Sequence, residues 1–377
     1  MPRIRQEQPS LLKQLFPLPT GNNGWEVVCD VADKLTGDLL KFEELTRANK
    51  ADIVSVSRYF SDNRARNLVR LLLDTERMPF VSPRTSVNLE TLFPDLAAFR
   101  KVVRFVSIAM FHTSGTGRSR ECARLVNVGI RIATAPAPDA LIGTLVSIAC
   151  QSIILRQIVS LAPLLDADDL DAIAKVLHQG VTSRAGYAAA FQSEYRFFIS
   201  TVGKLETSNL DLASPDEDEK RQYHELARNK ARFDAAKSDA LDYARAELSD
   251  VLQCIENPMR YDAKLREPQN QDSRLITNIL LPVLMPSLSR VLALLTEIRM
   301  TGLFCSAWAY RKRTLTWPAR LDEFAPKDLC KELVSDQAFV LEQSPGFDGI
   351  RIRSAGIPAV PGEQRLPITV PQTPKPV

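Results

Sequence analysis

The chain has 377 residues, more than one hydrophobic core usually spans, so its length predicts either two domains or one elongated helical array. At 45% hydrophobic and 25% charged residues it has the make-up of a folded protein, which excludes disorder as the main state. Its 48 basic and 45 acidic residues leave a net charge of +3, without the basic excess expected of a nucleic-acid binder.

Residues 1–21 read as an N-terminal extension, with no apolar run long enough to serve as the core of a secretory signal. A helical-hairpin body is predicted over 22–207. At 25–47, Val28, Val31, Ala32, Leu35, Leu39 and Leu40 recur at three- and four-residue steps, which places them on one helical stripe. Residues 50–74 repeat the pattern with Ile53, Val56, Tyr59, Phe60, Leu68 and Leu71, and the two segments are expected to pack antiparallel. Pro79 and Pro83 then mark a loop of about twenty residues, long enough to carry function.

From 94 to 133 a helix pair is expected, broken at TSGTGRSR, with Ala123 and Gly129 allowing close approach of its two helices. Residues 140–155 carry no charge but fall short of the roughly 20 residues that cross a bilayer, and read as a buried helix. Asp166, Asp168, Asp169 and Asp171 open the next helix; capping of free amides explains them better than a metal does.

Residues 208–273 form a charged surface helix with linkers. The helix starts at Ser214–Pro215, with Glu217 three places after the serine, and runs to about Cys254. Over 274–362 a long helix leads into a small helix-and-hairpin unit. Pro282, Pro286, Arg290, Glu297 and Arg299 interrupt its apolar run and argue against a membrane span. Pro318 starts a short helix with Leu321 and Phe324 inward, and alternation on either side of SPGFDG predicts a hairpin. Residues 363–377 read as a disordered Pro-rich tail. The fold class is therefore mainly α: irregular antiparallel hairpins, like those of a tetratricopeptide or α-solenoid body, ahead of a small α+β tail.

Chemistry-bearing residues are sparse. His112, His178 and His224 stand in unlike contexts, and no GxSxG or HExxH phrase accompanies them. Six separated cysteines read as buried fillers suited to a reducing compartment, and no metal or cofactor is expected. Glu194 and Arg196 interrupt an apolar helix. Glu194 is the candidate carboxylate of a catalytic groove, and Arg196 and Arg156 are candidate ligand-binding residues; the plainer reading is an ion pair of Glu194 with Arg156 or Arg100. Arg311, Lys312 and Arg313 either offset the dipole at a helix end or meet an anionic membrane surface.

Tyr310, Trp317 and Pro318 after a long helix, followed by Phe339, Phe347, Ile350, Ile352 and Gly356, resemble the spine-helix-to-sheet passage of type II secretion pseudopilins. More broadly, NNGWEVVCDVADKL, TLFPDLAAFRKVVRFVSIAM and LLPVLMPSLSRV look like an uncharacterised bacterial helical family of planctomycete type, a resemblance that covers roughly 20–360 and implies a cell-envelope setting. No aspartate follows Asp348, so the calcium cluster of pseudopilins is not implied. The leading expectation is a non-enzymatic scaffold that binds another protein or peptide between helices. The alternatives are a hydrolase using Glu194, or a component of a secretion or pilus-like system.

Overall fold

The computed structural model describes residues 10–35, 53–84, 93–182, 184–205, 217–262, 270–280, 284–343 and 349–354. Leu39 and Leu40, the helix start at Ser214–Pro215, Pro282, most of the SPGFDG turn and the Pro-rich tail lie outside them. The protein is mainly α. In chain order the helices are α1 (Leu11–Leu15), α2 (Gly24–Lys34), α3 (Ile53–Ser61), α4 (Asn63–Asp74), α5 (Asp95–Gly115), α6 (Ser119–Thr134) and α7 (Leu141–Leu161). Then follow α8 (Ala167–Thr182), α9 (Ala185–Lys204), α10 (Glu217–Ala227), α11 (Lys230–Glu256), α12 (Gln271–Leu280) and α13 (Leu284–Thr314). The hairpin of β1 (Val340–Gln343) and β2 (Ile350–Arg353) closes the described chain.

Two segments expected to be continuous are each split by a polar cap. Asp62 accepts from the Arg64 amide and starts α4, and Asn229 accepts from the Arg232 amide and starts α11. Two further described breaks follow a glycine and a proline. Gly117, at φ +74°, turns α5 into α6, and a 3-10 turn at Ala162–Leu164 ends α7.

The centre of the fold is α13, buried along most of its length against α7 and α8. Arg313 reaches Asp168 and Asp171 at the start of α8 while Gly302 lies against His178 further along it, so these two helices run antiparallel. Lys312 holds the Pro163 carbonyl just beyond α7, and Ser152 meets Glu297, so α7 and α13 run parallel. The α5–α6 hairpin packs on this set, with Gly129 in a narrow seam where an added Cβ would meet Ile154 at 2.9 Å and Val106 at 3.1 Å. Helices α2, α3 and α4 cover its far side, while α11 carries α9, α10 and α12.

Buried side chains form one continuous cluster from Trp25 in α2 to Ile352 in β2. The apolar stripe of α2 does what its spacing predicts, with Val28 and Val31 fully buried. Leu141–Leu164 and Leu284–Thr314 have the length and apolar character of membrane spans, but 56% and 72% of their most apolar windows are buried inside the protein. At the end of α13, Trp317 packs edge-on against Trp308, Leu321 is buried in a 3-10 turn, and Phe339, Ile350 and Ile352 lie inward.

Candidate functional site

The polar groups a reaction could use are first engaged by helix ends. The first amides and last carbonyls of a helix have no partner within it. Here side chains from other helices supply many of them. Asp33 in α2 accepts from the Leu11 and Leu12 amides of α1 at 3.3 and 3.1 Å. Glu247 in α11 accepts from the Leu284 and Met285 amides that open α13. Basic side chains mirror this at carboxyl ends: Lys101 donates to the Ala32 and Leu35 carbonyls of α2, and Lys237 to that of Leu205 after α9. Arg184 joins the end of α8, through the Val181 carbonyl, to the end of α11, through Ile255. Acids at amino ends and bases at carboxyl ends match the sign of the helix dipole.

Glu194 belongs to this pattern. Its Oε2 accepts from the Leu141 amide at the start of α7, 3.3 Å away, and burial raises its carboxyl above the ordinary range. Its partner is thus a backbone amide rather than Arg156 or Arg100. Arg196 and Arg156 are exposed, and Arg156 lies in the field of Glu297 on α13. The structure does not gather Glu194, Arg196 and Arg156 into one described cavity. Of the basic run, Arg313 bridges Asp168 and Asp171, Lys312 holds Pro163, and Arg311 lies over the Trp317 ring.

The Pro-rich loop expected to be irregular carries a buried ionic knot. Arg84 pairs with Asp95 at the start of α5 and with Asp139 before α7, the latter at 3.1 Å. Trp25 Nε1 donates to Asp95 at 2.9 Å, Ser82 Oγ donates to Asp139 at 2.6 Å, and the guanidinium lies 4.5 Å from the centre of the Phe93 ring. This knot ties the loop, α2, α5 and α7 together. Sequence reasoning missed it because its charges lie up to 55 positions apart.

Among the described residues, besides a polar groove of about 220 Å³ beside Glu247, Arg260 and Asp262, two arrangements bear on function. One is a groove of about 220 Å³ between α6 and α8, with Val126, Ile173 and Val176 among its apolar lining and Glu76, Arg120 and Asp169 on its polar rim. Arg124 also lines it and is held by Glu76 at 3.0 Å. The other pairs Ser57 in α3 with His112 in α5, Oγ to Nδ1 3.3 Å, with the imidazole stacked on Phe60. Burial, then the nearby Arg118 charge, lowers the pKa of His112 and favours its neutral form. His178 lies half-buried between α8 and α13, against Gly302, and His224 is exposed on α10.

All six cysteines are free and buried, and burial pushes the Cys29, Cys122 and Cys150 thiols up to about 12, where they are unreactive. Among the described residues no group of His, Cys, Asp and Glu side chains could hold a metal ion. No protein-family model, no curated protein and no solved structure matches this chain.

Proposed function

We propose that this protein is a binding or scaffold protein rather than a dedicated enzyme, and that it holds a peptide segment of a partner in the groove between α6 and α8. The groove is the observation that carries this reading. Ligand pockets for cofactors and drug-sized molecules typically hold about 300–1,000 Å³. A groove of about 220 Å³ is smaller, suited to one or two side chains of a segment lying across it. Ala123, Ala172 and Val176, the apolar lining residues that are not buried, would meet those side chains, and the rim offers both Arg120 and Asp169 to polar groups that flank them. The use of Glu194, Glu247, Arg184 and Lys312 as helix caps supports the same reading, because it engages charged groups in architecture.

Selecting peptides from a random display library on the full-length protein, then measuring their affinity by fluorescence anisotropy, tests the reading. Ala172→Trp fills the groove from an exposed position and should weaken the selected peptides at least tenfold without lowering the melting temperature. Equal affinity in that variant, or a library that yields no binder, removes the proposal.

One observation favours a second reading, a component of a secretion or pilus-like assembly: the order of long helix, short 3-10 turn and antiparallel hairpin over 284–353. Val340 is 51% exposed on β1, so Val340→Lys should abolish self-assembly if the hairpin mediates it, and light scattering reads the outcome. A wild-type chain that stays monomeric at high concentration removes this second reading.

A further inference from the structure

The Ser57–His112 pair is independent of the groove. Helices α3 and α5 meet antiparallel: Ile53 lies against Gly115, Ser57 against His112, and Phe60 against Phe105. The His112 and Phe60 rings stack at 4.8 Å and 13°, which fixes the imidazole plane while Nδ1 faces Ser57 Oγ. Both members are half-buried. Around them the surface is open, with Val54 60% exposed one turn before Ser57 and the Gly115–Arg118 turn exposed beside His112.

We propose that Ser57 is an acyl acceptor, with His112 as its general base, and that the pair hydrolyses activated esters with a short apolar acyl chain. A serine hydroxyl is a weak nucleophile until a neighbouring base takes its proton. His112 Nδ1 takes the proton as the Oγ–C bond forms. The tetrahedral intermediate then expels the alkoxide, which leaves as the alcohol with the proton from His112. Water, activated by the same nitrogen, attacks the acyl-serine; the C–Oγ bond breaks, the proton returns to Oγ, and the carboxylic acid departs. The apolar acyl chain would lie along Val54.

What the site lacks limits the substrate. Among the described residues no carboxylate bonds to His112 Nε2. The nearby Thr116, Gly117 and Arg118 amides already donate to the carbonyls of His112, Ser114 and Thr113, so they offer no oxyanion hole. Esters with good leaving groups are therefore within reach, and amides are not.

The test treats the full-length protein with a fluorophosphonate ester and maps the adduct by peptide mass spectrometry, alongside hydrolysis of p-nitrophenyl acetate. The expected result is an adduct on Ser57 that disappears in Ser57→Ala, persists in the control Ser61→Ala, and forms at least tenfold more slowly in His112→Gln. In the wild type, the labelling rate should rise with pH through a midpoint below 6.5, a signature that needs no variant to fold. An adduct elsewhere, no adduct, a rate unchanged in folded His112→Gln, or a rate flat between pH 4 and 8 overturns the proposal.

Discussion

The carboxylate of Glu194 stands 3.3 Å from the Leu141 amide, 53 positions away in the chain, and caps the start of a helix it does not belong to. Removing a side-chain cap typically costs about 0.5–2 kcal/mol. Glu194→Ala should therefore lower stability by about 1 kcal/mol, while Glu194→Gln keeps an acceptor and should change it by less. The pH dependence has a definite sign. Burial raises the folded-state pKa of Glu194 above its ordinary 4.5, so between the two values the folded chain binds more protons than the unfolded one. Stability should fall as pH rises through that window, and Glu194→Gln should flatten the slope. Urea denaturation at several pH values checks both.

The same contact shows where sequence reasoning runs out. Stripes such as Val28, Val31 and Ala32 disclose a helix because all their information is local. The breaks at Asp62 and Asn229 are legible too, since both are strong capping residues, and the apolar stripe of 50–74 skips from Phe60 to Leu68 around the first of them. Glu194 stood out as a charge in an apolar helix, yet nothing local says that its partner is a backbone amide. Ser57 and His112 were likewise invisible as a pair, because only the antiparallel packing of α3 on α5 brings them together. Nothing local marks Val126, Ile173 and Val176 as lining the α6–α8 groove, because a groove is a property of packing.

Arg84 should be among the most sensitive positions in the protein. Asp95 is fully buried and Asp139 nearly so, and Arg84 pairs with both. Breaking a buried pair by removing one partner typically costs about 3–5 kcal/mol, because the charge left behind has lost its solvation. Arg84→Met should cost about that much in a chemical-denaturation series. Combining it with Asp95→Asn should recover part of the loss, since one of the two orphaned charges is then gone while that of Asp139 remains. Strict additivity of the two changes would show that they do not share a network.

His178 and Gly302 form a second sensitive contact. A Cβ on Gly302 would lie 2.6 Å from His178 Cε1, so Gly302→Ala should cost about 1–3 kcal/mol, with much of it restored in the His178→Ala background. His178 Nδ1 is buried without a partner. Burial, then the Arg299 charge, depresses its pKa to about 4, against some relief from Asp328. The unfolded chain, with an ordinary value of 6.5, binds more protons between these limits. This contribution is complete above pH 6.5 and is lost as pH falls towards about 4, on the order of 3 kcal/mol. His178→Leu should flatten that part of the pH–stability profile.

Leu315 gives the opposite kind of variant, one that should help. It follows α13 directly with φ at +61°, in the left-handed region that a β-carbon disfavours, and its amide closes the last turn on the Arg311 carbonyl at 2.8 Å. This is the position where glycine usually ends a helix. The strain costs about 1–2 kcal/mol, and the side chain, 75% exposed, gives little burial in return. Glycine loses more freedom on folding, which offsets roughly 0.5–1 kcal/mol of the gain. Leu315→Gly should therefore stabilise the isolated chain by about 0.5–1 kcal/mol, seen as a higher melting temperature with an unchanged circular-dichroism spectrum. A loss of stability instead would mean that the leucine side chain is covered, which in a concentration series separates self-association, where the loss grows with protein concentration, from packing within one chain, where it does not.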